Sequence, residues 1–142
     1  MTGKAVRSLG TALLVAAVVL PGVYGFAMYF FKPARARLIG AFVFWDGVPL
    51  ACAGVVAWFI AEKRMERNFV AKAYGAWFGA AVVVLLTGYL FIGVWTPLLR
   101  QPRLTWGAEA SIKVLPVLEM FLYGSAYVLG YLVGRAAGRQ GA

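Results

Sequence analysis

The sequence predicts an all-α integral membrane protein, an antiparallel bundle of four transmembrane helices joined by short loops. Three observations predict it. Of 142 residues, 63% are hydrophobic and only 13% charged, whereas soluble domains are roughly 45–50% apolar and about 25% charged. Four apolar runs each exceed the roughly 20 residues that cross a hydrocarbon core about 30 Å thick. Short basic breaks separate the runs, and the four spans nearly exhaust the chain, so residues 1–142 read as a single transmembrane domain.

The first span covers about residues 9–31 and has no charge. Lys4 and Arg7 ahead of Leu9–Leu20 have the look of a leader peptide, but Phe26–Phe31 continue the apolar run, so a retained span is expected. The break Lys32–Arg37 leads to the second span, about 38–61, which contains Asp46. The break Glu62–Asn68, a solvated loop with internal charge pairing, precedes the uncharged third span, about 74–99. Residues 100–110 lead to the fourth span, about 112–134, with Lys113 at its edge and Glu119 inside. Pro21, Pro49 and Pro116 interrupt spans one, two and four, where each removes a backbone hydrogen bond and favours a kink.

Charge sets the expected orientation. The side with both termini and the middle loop carries Lys4, Arg7, Lys63, Arg64, Arg67, Lys72, Arg135 and Arg139, and the other side carries Lys32, Arg35, Arg37, Arg100, Arg103 and Lys113. Eight against six favours cytoplasmic termini by the positive-inside rule, and a difference this small is also compatible with dual topology. A multi-pass cell-membrane protein is expected, with a composition rich in Ala, Gly and Val that suggests a bacterial inner membrane. The net charge of +9 is spread over both sides, which suits anionic lipid headgroups and argues against a nucleic-acid partner. The absence of His and the single Cys52 exclude His-ligated metals, Ser-His-Asp catalysis, intrachain disulfides and cysteine-held clusters. No cofactor, metal site or catalytic set is expected.

Asp46 and Glu119 are the informative residues. An ionisable group inside a span costs about 2.5–3.5 kcal/mol on insertion scales and marks a functional site by default. Both spans run in the same direction, and the expected boundaries place the two acids at similar depth. Helical phase puts Ala53, Ala57 and Ala61 below Asp46, and Ala126, Gly130 and Gly134 below Glu119. Stripes of small residues mark close helix packing, so both carboxylates should point into the bundle or an oligomer interface. Gly75 and Gly79 in the third span offer a similar stripe, and Gly138 extends that of the fourth. Arg35, Arg37, Arg100, Arg103 and Lys113 lie on the side from which the acids enter and are the expected counter-charges for a structural ion pair. Residues 45–61 and 118–134 align without gaps, Asp46 on Glu119 and Ala53 on Ala126, as a duplicated hairpin would.

Tyr29–Phe31, Trp58, Trp77, Trp95 and Trp106 lie near span ends and read as an interfacial aromatic belt. Cys52 reads as a small filler in a packed region. In size and span number the chain resembles small multidrug-resistance transporters, but that family's embedded Glu lies in the first span, which has no acid here. The leading expectation is a non-enzymatic accessory subunit of a larger membrane complex, docked through its small-residue stripes. The alternative is an oligomeric transporter or channel subunit that uses Asp46 and Glu119 for cation or proton coupling. A third class is an intramembrane enzyme acting on a lipid or isoprenoid. The expected partners are the lipid bilayer and either other membrane subunits or further copies of the chain.

Overall fold

The computed structural model describes residues 2–140. The described residues form helices α1 (Gly3–Phe31), α2 (Pro33–Ile39), α3 (Ala41–Glu62), α4 (Phe69–Gly88), α5 (Thr96–Leu98) and α6 (Trp106–Gln140), with a π-helical segment, Tyr89–Trp95, joining α4 to α5. Four stretches are long and apolar enough to cross a membrane: α1, α3, the continuous run Phe69–Leu98, and α6 from Trp106 to Arg139. The predicted fold class and span number are those observed.

Local chemistry explains the element ends. The Thr2 hydroxyl accepts the Ala5 amide at 3.2 Å and caps α1. Lys32 leaves the helical region (φ −138°, ψ 64°) because Pro33 follows it, and Pro33 then opens α2, where its missing amide hydrogen costs nothing. The Thr105 hydroxyl accepts the Ala108 amide at 3.2 Å and caps α6, and Glu109 stabilises the positive end of that helix. The helices run past the expected apolar boundaries. The third span begins at Phe69 rather than Tyr74, and the fourth at Trp106 rather than Ile112. Their added turns carry Lys72, Glu109 and exposed Trp106, residues whose apolar stems and polar tips suit the interface.

Packing follows the small residues. α1 lies against α3, and α4 against α6. Gly10 and Gly54 meet face to face, since a β-carbon on either would lie 3.0 Å from the other's carbonyl oxygen. In the second pair, Gly75 faces the Tyr127 carbonyl, Gly79 lies under the Tyr123 ring, Gly130 faces the Tyr74 carbonyl, and Gly134 approaches the Ala71 Cα. The expected stripes are therefore filled within one chain, with Ala53, Ala57 and Ala61 all buried in α3 and Ala126 half-buried in α6, except at Gly138, which is exposed and meets nothing within 4 Å. Cys52 is a correction: it is exposed on the outside of the bundle, because Ala53 beside it takes the inward position.

Gly130→Ala is expected to destabilise the bundle by about 1–3 kcal/mol, because its β-carbon would sit 2.5 Å from the Tyr74 carbonyl oxygen. Gly124→Ala, which meets nothing within 4 Å, is expected to be neutral. Thermal unfolding in mild detergent compares the two.

Candidate functional site

Among the described residues, the buried polar side chains are Asp46, Thr87 and Glu119. Asp46 and Glu119 are both 0% exposed, so they point into the bundle. Each is held by the third span. The Trp95 indole donates to Asp46 Oδ2 at 2.5 Å. The Thr87 hydroxyl lies 3.2 Å from Glu119 Oε1 and 3.4 Å from Oε2. These bonds tie α3 and α6 to one strut. Beside them, Pro21 of α1 packs on Gly47, next to Asp46.

The two acids are not level. The Trp45 indole donates to the Lys113 carbonyl at 3.1 Å, which aligns α3 with α6. Glu119 is six residues past Lys113 and Asp46 one residue past Trp45, so Glu119 sits roughly 8 Å deeper at about 1.5 Å per residue. The expectation of equal depth counted from Ile112, whereas α6 starts at Trp106.

The expected counter-charges stand elsewhere. The Arg35 guanidinium donates to the Leu98 carbonyl at the end of α5. Lys113 pairs with Glu109 at 2.8 Å and lies 5.5 Å over the Phe42 ring. Arg37, Arg100 and Arg103 are exposed. Among the described residues, the ion pairs are Arg7–Glu62, Lys63–Glu66, Lys72–Glu66 and Lys113–Glu109. The proposed ion pair to Asp46 or Glu119 is thus absent among them: an interfacial Arg or Lys finds carbonyls, surface acids or water without leaving its hydration shell.

Two polar atoms in this region have no partner among the described residues, Asp46 Oδ1 and the Tyr123 hydroxyl. Tyr123 lies one helical turn beyond Glu119 on α6, and its ring packs with Leu13, Leu50, Ala53, Ala80 and Val83. Buried polar atoms are almost always paired, so each orphan marks its own level of the bundle, Asp46 above Glu119 and Tyr123 below it.

Sequence reasoning found both acids and missed their partners. Trp95 was assigned to the interfacial belt, but it is 0% exposed and belongs to the core around Met28, Val43 and Phe91. Trp106, 84% exposed, is the kind of tryptophan a belt requires. The available signal was chemical: a buried carboxylate needs donors, and Thr87, Trp95 and Tyr123 are donors inside apolar spans. The π-helical segment between Thr87 and Trp95 left no sequence signature. In a regular α-helix, eight residues would set these two side chains about 80° apart. The wider π turn reduces that offset, so both face the interior.

Comparison with protein-family models, curated proteins and solved structures finds no match to this chain. The site stands on its own geometry.

Trp95→Phe is expected to lower stability by about 1–3 kcal/mol, the cost of stranding a buried polar group. Adding Asp46→Leu should recover much of that loss, because the stranded acceptor is then gone. A double-mutant cycle read by thermal unfolding measures the coupling.

Proposed function

We propose that Asp46 and Glu119 form an exchangeable intramembrane proton or cation site, and that the chain is a non-enzymatic, cation- or proton-coupled subunit of an oligomeric membrane transporter or channel. One observation carries this reading. Both carboxyl groups are fully buried, neither is ion-paired among the described residues, and Asp46 Oδ1 has no partner there. An ionised carboxylate removed from water costs several kcal/mol unless a positive charge compensates it. Each acid therefore holds a proton or takes up a cation, and exchange between those states is the chemistry on offer. The purely structural alternative, an ion pair to interfacial Arg or Lys, lacks its contacts.

The site needs a way to open, because no described residue exposes it to water. The π-helical segment supports one. It begins at Tyr89, two residues after Thr87, and ends at Trp95, and π segments recur at functional sites. Conversion to α geometry would rotate Trp95 away from Asp46 and release that carboxylate. A four-helix bundle filled by side chains encloses no wide path, so flux would run through an assembly of several subunits.

The accessory-subunit reading keeps one observation in its favour. An apolar groove of about 560 Å³ lies on the outer face of α1, lined by Gly22, Val23, Phe26 and Phe30, and it would fit a helix of another subunit. The small-residue stripes of the other spans do not add to this case, because they are filled within the chain.

In liposomes containing the purified protein, pH-dependent cation or proton flux is expected. Asp46→Asn and Glu119→Gln, which keep shape and polarity, should each reduce it at least tenfold. Unchanged flux in both variants would overturn the coupling reading. Native co-purification with defined partners, and no flux from the chain alone, would favour the accessory subunit.

A further inference from the structure

Arg67, Arg135 and Arg139 line a cleft of about 750 Å³ between the start of α4 and the end of α6. No acid lines it, and none of the three arginines is in an ion pair among the described residues. Arg135 and Arg139 are four residues apart on one helix, where like charges destabilise each other. Lys72 nearby is already paired with Glu66 at 2.7 Å. A second basic cleft of about 900 Å³, lined by Lys4, Arg7 and Arg64, differs in holding Glu62, which pairs with Arg7 at 2.6 Å.

We propose that the three-arginine cleft is a binding site for the headgroup of an anionic phospholipid. Arginine forks match phosphate oxygens geometrically, and one phosphodiester between Arg135 and Arg139 would turn their repulsion into two attractions. Asn68 also lines the cleft, and its side chain caps no helix, which leaves its amide free to donate. The lining also includes the small residues Ala71, Gly134 and Gly138, which leave room for a headgroup between the helices. Val70, exposed on α4, also lines the cleft, and Val128, two turns before Arg135 on the same face of α6, is exposed. An occupant with an anionic head and apolar tails satisfies both surfaces, which a free phosphate ion does not. Basic pockets between transmembrane helices are a recurrent form of anionic-lipid recognition.

The test is native mass spectrometry of the full chain released from nanodiscs of mixed phosphatidylglycerol and phosphatidylcholine. Selective retention of phosphatidylglycerol is expected, reduced roughly tenfold or more in Arg135→Gln/Arg139→Gln. The charge-matched control Lys4→Gln/Arg64→Gln, in the other basic cleft, should retain the lipid. Gly138→Leu provides a second probe that leaves every arginine in place. Its side chain enters open space, since nothing lies within 4 Å of a β-carbon there, and it should block the headgroup without disturbing packing. Equal loss in both charge-matched variants would reduce the effect to general surface charge and overturn the site. Retention unchanged by Gly138→Leu and by the double arginine variant would also overturn it. Displacement of the lipid by millimolar inorganic phosphate would reassign the cleft to a soluble anion.

Discussion

Two carboxyl groups must be satisfied where no water reaches, and the arrangement of the bundle depends on how that is done. Asp46 and Glu119 enter on different helices, and neither is in an ion pair among the described residues. Their donors come instead from one continuous span, Thr87 below and Trp95 above. The third span is therefore the strut to which α3 and α6 are fastened. The π-helical segment Tyr89–Trp95 lies between the two donors, and it brings Trp95 closer in phase to Thr87 than the offset of about 80° in a regular helix. A local departure from regular hydrogen bonding is a smaller cost than an unpaired buried carboxyl group.

The small residues and the polar site are linked through the tyrosines of α6. Gly79 accepts the Tyr123 ring against its backbone, and Gly75 accepts Tyr127. That contact fixes where the Tyr123 hydroxyl ends, in the buried region beyond Glu119. A packing residue thereby positions a polar one. The prolines follow a related rule. Pro21, Pro49 and Pro116 are all buried, so each interruption faces protein rather than lipid. At Pro21 the amide that would bond the Ala17 carbonyl is missing, and Gly47 brings α3 close to that carbonyl. In hydrocarbon every freed carbonyl needs company, and a glycine backbone approaches more closely than any side chain allows.

The fold was legible because hydrophobicity over 20 residues is a strong, local signal, and four such runs leave little else to build. The acids were legible for the same reason, as exceptions in an apolar background. The inward stripes of Ala53, Ala57 and Ala61 followed from the helical period alone. What the sequence did not show depends on contacts between spans. Trp95 near a span end has the same local pattern whether it faces lipid headgroups or a carboxylate, and only the register of α3 against the third span decides. The starts of α4 and α6 were missed because Lys72 and Glu109 look like loop residues, although their charged tips reach the interface from a helix. Arg35 was placed correctly at the α2 end, but a guanidinium there satisfies a helix-terminal carbonyl at lower desolvation cost than a buried acid.

The two ends of the bundle are unlike, and the difference bears on how the acids are reached. At the end carrying the termini, open basic clefts separate the helices, yet below them lie the packed cores around Val6, Ala57 and Ala73 and then around Leu13, Leu50 and Val83. Those layers are made of close backbone contacts, which do not separate without losing several glycine interfaces at once. At the other end, α2 packs on α1 and α3, and its Arg35 holds the Leu98 carbonyl. Asp46 is only five residues into α3 on that side. The barrier there consists of side chains and hydrogen bonds, chiefly Trp95, Phe91 and the Tyr24–Thr96 hydroxyl pair at 2.7 Å. Side chains change rotamer far more readily than packed backbones part. On the exchange reading proposed above, Asp46 is the acid nearer the α2 end and would be reached first, with Glu119 the deeper of the two.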